Sequence, residues 1–267
     1  MPKVQVGNVG LYYEEHGAGE PLLLVPGFGT GLWIWYRQIP SLAEHFRVIA
    51  FDPRGVARSD KPDEPMPMRG YADDAAALLE ALNVESAHVL GASFGGFVAQ
   101  EFALAYPART RSLILCCTSF GGPRHCPPAP ETLQAIASTK GLNSEERVRE
   151  NLLLAFSPAF VAEQPEEVER VIRLRAENDV PEYAYLRQLQ AAMAFNAEER
   201  VASIEAPTLV ITGDADVIVP HENSLNLAAR IPGATLRVID GGSHTFFIER
   251  PEEFNSAVME FIRSLDT

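Results

Sequence analysis

A chain of 267 residues with 46% apolar and 22% charged side chains suits one α/β domain carrying an insertion, or at most two small domains. Its formal net charge of −14, from 22 basic and 36 acidic residues, argues against nucleic acid or an anionic membrane as partner, because both demand a basic face. No apolar run reaches the length of a membrane span and no signal-peptide pattern opens the chain, so a soluble, cytoplasmic protein is expected.

Residues 3–16 alternate with period two around Asn8-Val9-Gly10, which predicts a β-hairpin turning there. Residues 21–25 form a continuous apolar run, as a strand buried on both faces would. It ends in Pro26-Gly27-Phe28-Gly29, and residues 33–42 then read as a short helix. A second buried strand spans 47–51 and runs into Asp52-Pro53-Arg54-Gly55. Tyr71, Ala75, Leu78, Leu79 and Leu82 recur at helical spacing. Ala87 to Leu90 is a third strand, broken by Gly91-Ala92-Ser93-Phe94-Gly95, and a helix follows through Tyr106. Residues 111–118 make a further strand. The chain's three cysteines are Cys116 and Cys117 within that strand and Cys126 beyond it; odd in number and adjacent, they read as reduced thiols and not as a disulfide framework.

From 119 to about 200 the pattern changes. A Pro/Gly-rich linker at 121–130 precedes amphipathic helices at 145–156, 166–178 and 182–195, whose apolar positions include Leu152, then Val168, Val171 and Ile172, then Tyr185, Leu189 and Met193. Strands return at 206–213 and 234–239, separated by a helix near 221–231. Pro251 opens the last helix at its favoured first position, with Phe254, Val258, Phe261, Ile262 and Leu265 as a core stripe. Alternating strands and helices predict an α/β fold with a mostly parallel central sheet flanked by helices. The core domain is expected over 1–120 and 200–267, with a helical cap inserted at 121–199.

Gly-x-Ser-x-Gly between a strand and a helix carries a specific demand. A serine in such a sharp turn takes a strained conformation, so its neighbours two residues away must be small. Gly91 and Gly95 meet that demand around Ser93, and Gly96 allows the helix to approach the sheet closely. The stretch resembles the nucleophile elbow of the α/β-hydrolase family, and the resemblance extends along nearly the whole chain. It implies a serine nucleophile, then an acid, then a histidine in that chain order. His244, in the loop after the last strand, matches the base. His16, His45, His88, His125 and His221 lie respectively in the hairpin, at a helix end, inside a strand, in the linker and at a helix start. Asp216 matches the acid through Gly213, Asp216 and Pro220. Its neighbour Asp214 reads as a turn-capping residue, and Asp240 lies too close to the histidine.

The resemblance further implies an oxyanion hole from the backbone N–H groups of Phe28 and Phe94. Where the family commonly has His-Gly, this chain has Pro26-Gly27. Asp52-Pro53-Arg54-Gly55-Val56-Ala57-Arg58-Ser59 resembles a second family stretch, with Ala57 in place of a glycine, and Asp52 and Arg54 read there as structural. Trp33, Phe120, Met193 and Phe246 are candidates to line an apolar pocket, with Phe28, Trp35 and Phe94 beside them. No zinc-spaced Cys/His set, Walker loop or dinucleotide fingerprint is present in the sequence. The implied activity is hydrolysis of a small-molecule carboxylic ester or lactone, without metal or organic cofactor. A carbon–carbon bond hydrolase, a cofactor-free perhydrolase and a ligand-binding receptor are the alternatives that the same residues leave open.

Overall fold

Eight strands build one sheet: β1 (Lys3–Val6), β2 (Val9–His16), β3 (Glu20–Val25), β4 (Phe46–Phe51), β5 (Ala87–Ala92), β6 (Thr110–Cys116), β7 (Thr208–Gly213) and β8 (Thr235–Ile239). Their order is β1-β2-β4-β3-β5-β6-β7-β8. The β1/β2 and β2/β4 pairs are antiparallel and every other pair is parallel. The computed structural model describes residues 3–137, 144–178 and 180–265.

The continuous apolar runs have the cause expected of them. Alternate residues of each central strand point to opposite faces, and both faces are covered. Leu23, Val25, Val89, Leu113, Leu115 and Val210 join one core with the helices Met68–Ala81 and Phe94–Ala105. Leu22, Leu24, Leu90, Ile114, Leu209 and Ile211 join the other, against the helix Pro251–Arg263. β8, at the sheet's edge, is mostly exposed. The register places strand carboxyl ends side by side, Val25 opposite Gly91, Ala92 opposite Cys116 and Gly213 opposite Ile239. In an open parallel sheet that is where ligands bind.

Several boundaries differ from expectation. The hairpin turns at Gly7-Asn8, because Gly7 adopts φ +55° and Val9 and Gly10 already pair in β2. The helix expected over 33–42 is split into a 3₁₀ turn, Leu32–Trp35, and a short α-helix, Ile39–Leu42. Pro40 has no N–H to donate, so a helix can begin around it but not run through it. Leu265 lies past the end of the last helix and is exposed, so it does not extend the core stripe. Between β6 and β7 the described residues contain helices and no strand, namely Pro130–Ala137, Ser144–Ala155, Pro158–Glu163, Pro165–Glu177 and Glu182–Ala194. Among the described residues no helix is long and apolar enough to cross a membrane.

Candidate active site

Ser93 sits between β5 and the helix Phe94–Ala105 with φ +54° and ψ −116°. A non-glycine residue holds such a conformation only when its surroundings over-determine it. They do so here. The Ser93 N–H donates to Cys116 O at 2.8 Å, and its carbonyl accepts from Gly96 N–H and Thr118 Oγ1, each at 2.8 Å. The glycines are explained by what a side chain would strike. A Cβ on Gly91 would lie 2.1 Å from Gly95 O, one on Gly95 2.2 Å from Val25 O, and one on Gly96 2.5 Å from the Thr118 side chain. The turn therefore closes only because these positions lack side chains.

The loop after β3 lies against this turn, with the Gly27 Cβ position 3.7 Å from Ser93 Cβ. Buried Asp52 fixes its far end by accepting from Leu32 N–H at 2.8 Å. Burial pushes the Asp52 carboxyl up, against the hydrogen bonds from Leu32 and Arg58. Arg54 clamps Asp74 with two bonds of 2.5 and 2.6 Å. Both residues thus hold turns, as expected. The N–H of Gly29 donates to Gln188 Oε1 at 2.9 Å and sets the loop's peptide planes. Phe94 is the first residue of its helix, where an N–H has no intrahelical acceptor.

The other half of the site comes from two loops that approach without side chains between them. A Cβ on Gly213 would lie 2.1 Å from Gly242 O. Asp214 accepts from Gly241 N–H at 2.6 Å and pins the loops together. Asp216 Oδ1 accepts the N–H groups of Ile218 and Val219, both at 2.8 Å, leaving Oδ2 to meet His244 Nδ1 at 2.8 Å. The Asp216 side chain is fully buried and that of His244 is 13% exposed. Burial alone would lower the imidazole, but the facing Asp216 carboxylate outweighs it and the group is pushed up to about 9. The residues flanking His244 are tied to the helical segment. Thr245 N–H and Oγ1 both donate to Ala155 O, and Glu249 joins Ser243 Oγ to Ser157.

Ser93 and His244 line one cavity of about 250 Å³ together with Gly27 and Phe28. His88, by contrast, is a satisfied core histidine on Ser112 Oγ at 2.8 Å. Cys117 also reaches the cavity. Its Sγ, a carboxylate oxygen of Asp216 and a nitrogen of His244 lie within 4.8 Å of one another, the one group among the described residues with the donors for a metal. Burial raises the Cys117 thiol well above its ordinary value, so it is a reluctant thiolate ligand.

The sequence model of the alpha/beta hydrolase fold family matches residues 20–251. The chain belongs to that family. It is 35% identical to a putative carbamate hydrolase, RutD, of Azorhizobium caulinodans, over the full length of both chains. It is 31% identical to a 2-hydroxy-6-oxononadienedioate/2-hydroxy-6-oxononatrienedioate hydrolase of Pseudomonas putida, covering 95% of this chain and 91% of that one. Among solved structures, an N-acyl homoserine lactone degrading enzyme, Est816, shares 31% identity and a TM-score of 0.82, covering 97% of this chain and all of the other.

None of the four expected pocket residues lines this family member's cavity. Trp33, Phe120 and Phe246 are buried in the two cores, and Met193 is 80% exposed. Trp35 is likewise core, its ring tilted by 39° against that of Phe247 with centroids 5.3 Å apart. The walls come instead from Ile34, Leu152, Ala155, Tyr185, Ile218 and Phe247, with Asn151 and Arg175 as polar members. The helix Glu182–Ala194 shows why Met193 faces water and not the cavity. Its buried positions are Ala184, Gln188 and Ala191, while Leu186, Leu189 and Met193 face outward. Ala184 lies 3.0 Å from the Gly55 Cβ position, so close approach selects small residues on the inner face and inverts the usual amphipathic pattern.

Proposed function

We propose that this protein hydrolyses carboxylic esters or lactones through an acyl-enzyme on Ser93. The observation that carries the reading is the buried 2.8 Å Asp216–His244 pair, opening on the cavity that the strained Ser93 also lines. His244 takes the serine proton as Oγ attacks the carbonyl, and Asp216 holds the tautomer and balances the imidazolium. The N–H groups of Phe28 and Phe94 receive the developing oxyanion. His244 then protonates the leaving alkoxide and activates water for deacylation. Helices within 121–199 act as the cap, since Asn151, Leu152, Arg175 and Tyr185 reach the cavity from them.

The lactone-degrading relative supports this substrate class. The relatives named as a carbamate hydrolase and as a 2-hydroxy-6-oxononadienedioate hydrolase add a carbamate and such a dienedioate to the substrates to be tried. Ser93→Ala should abolish turnover of p-nitrophenyl acetate and labelling by a fluorophosphonate while leaving the thermal midpoint within a few degrees. Turnover retained in that variant would sink the proposal. Repeated rapid turnover by the unaltered protein separates an enzyme from a receptor that binds and releases slowly.

A further inference from the structure

The cavity wall is apolar over most of its area, yet one of its described residues carries a permanent charge. Arg175 belongs to the helix Pro165–Glu177, whose buried residues are Val168, Val171 and Ile172. The positions 168, 171, 172 and 175 fall on one helical face, so the arginine continues an inward apolar stripe instead of the charged outer face. Its Nη1 donates to Asn178 O at 3.1 Å. Its Nη2 lies 3.6 Å from the Cβ position of Gly29, beside the ring of Tyr185, which packs edge-on against Phe28 with centroids 4.5 Å apart. The guanidinium therefore stands over the loop that supplies the Phe28 N–H. Asn151, on the neighbouring helix Ser144–Ala155, lines the same cavity with a buried Oδ1 that has no hydrogen-bond partner. A buried acceptor without a protein partner calls for a donor from elsewhere, such as a hydroxyl or water, and leaves the guanidinium as the group suited to an anion.

We propose that the cavity takes an acyl group bearing a carboxylate, with Arg175 as its anion-binding residue. The inference rests on the acyl-transfer reading for turnover, though not for binding. Phe28 and Gly29 are consecutive, so their Cα atoms are about 3.8 Å apart. With the guanidinium 3.6 Å from the Gly29 Cβ position, the cation stands one loop residue away from the oxyanion donor, a placement that fits the acyl chain of a short dicarboxylic half-ester, such as a glutarate. Hydrolysis breaks its acyl C–O bond, places water's oxygen on the acyl carbon and a proton on the leaving oxygen, and releases the dicarboxylate. The chain's net charge of −14 opposes an anionic substrate at long range. Salt screens that repulsion beyond about 8 Å in physiological buffer, whereas a contact pair inside an apolar cavity is screened far less.

A merely structural Arg175, capping the end of its own helix, makes a different forecast: its loss would affect all substrates alike. The test compares kcat/KM for mono-p-nitrophenyl glutarate and p-nitrophenyl valerate in the unaltered protein, Arg175→Gln, Arg175→Lys and Arg173→Gln, the last an exposed neighbour on the same helix. We expect at least a tenfold preference for the half-ester, lost in Arg175→Gln mainly through KM, partly restored by Arg175→Lys and untouched by Arg173→Gln. A preference that Arg175→Gln leaves unchanged, or no preference at all, overturns the proposal. Calorimetric titration of Ser93→Ala with glutarate decides the matter even if neither ester is turned over. Binding abolished by adding Arg175→Gln supports the subsite while the acyl-transfer reading fails alone. Absent binding, or binding that survives that substitution, refutes it.

Discussion

Replacing Asp216 with Asn tests the charge logic of the proposed site with little change of shape. The amide oxygen can still accept from Ile218 and Val219, so the turn keeps its anchors. What changes is the face toward His244 Nδ1. An amide NH₂ there donates, forcing the ring proton onto Nε2 and leaving no lone pair for the serine. The charge is lost as well. An imidazole held at about 9 against an ordinary 6.5 corresponds to about 3 kcal/mol of selective stabilisation of the imidazolium. Since the imidazolium forms in the transition state, its loss alone is worth roughly a hundredfold or more in rate, and the wrong tautomer adds to that. We expect kcat/KM for an activated ester to fall by about two to four orders of magnitude. In the proposed mechanism the neutral imidazole is the working base, so the unaltered protein should show a rate limb rising through about pH 9, and in the variant that limb should move to lower pH. The same pair bears on stability. A histidine raised from 6.5 to about 9 contributes stability that is complete below pH 6.5 and lost as pH rises through 9. Urea midpoints should thus decline between those values in the parent protein and lose that decline in Asp216→Asn. A variant within threefold of parental activity, with an unmoved pH limb, would refute the assignment of Asp216 as partner of the base.

Four further outcomes follow from the geometry. Gly91→Ala puts a Cβ 2.1 Å from a backbone oxygen and should cost at least about 3 kcal/mol in urea unfolding or prevent soluble expression. Gly233→Ala, at φ +70° with nothing within 4 Å, should cost only about 1–2 kcal/mol. Met193→Ser should leave KM unchanged because the side chain is outside, whereas Tyr185→Ala should raise it, as steady-state kinetics on esters of graded acyl length would show. Glu249→Ala removes the acceptor shared by Ser243 and Ser157, and should lower kcat and destabilise by about 1–3 kcal/mol, measured by calorimetry alongside the rate.

The features legible in the sequence are those where backbone sterics leave a mark on residue type. Gly91, Gly95 and Gly96 report the tight turn at Ser93, and Gly213 reports the approach of the loops bearing Asp216 and His244. Buried strands are legible because a strand covered on both faces has no reason to alternate. Short connections were harder to read. The turn at Gly7 and the split at Pro40 depend on single positions inside otherwise compatible patterns, and the helices Pro130–Ala137 and Pro158–Glu163 are short enough to hide in proline-bearing stretches.

The pocket failed for a different reason. Apolar character alone does not say whether a side chain fills a core, lines a cavity or faces water, so Trp33, Phe120 and Phe246 were indistinguishable from true wall residues. In Glu182–Ala194 the inner face is crowded against the loops bearing Gly29 and Gly55, which favours alanine and one buried glutamine there; Tyr185 reaches the cavity, and Leu186, Leu189 and Met193 are left outside. The informative deviation was polar. A core-facing helical position has no use for a guanidinium, since burying its charge is costly unless something pairs with it. Arg175, one turn beyond Val171 and Ile172, places a charge on that stripe at a position that reaches the cavity. A charge on an otherwise apolar stripe therefore marks the substrate side of such a helix more sharply than any number of aromatic residues, because packing explains the aromatics and does not explain the charge.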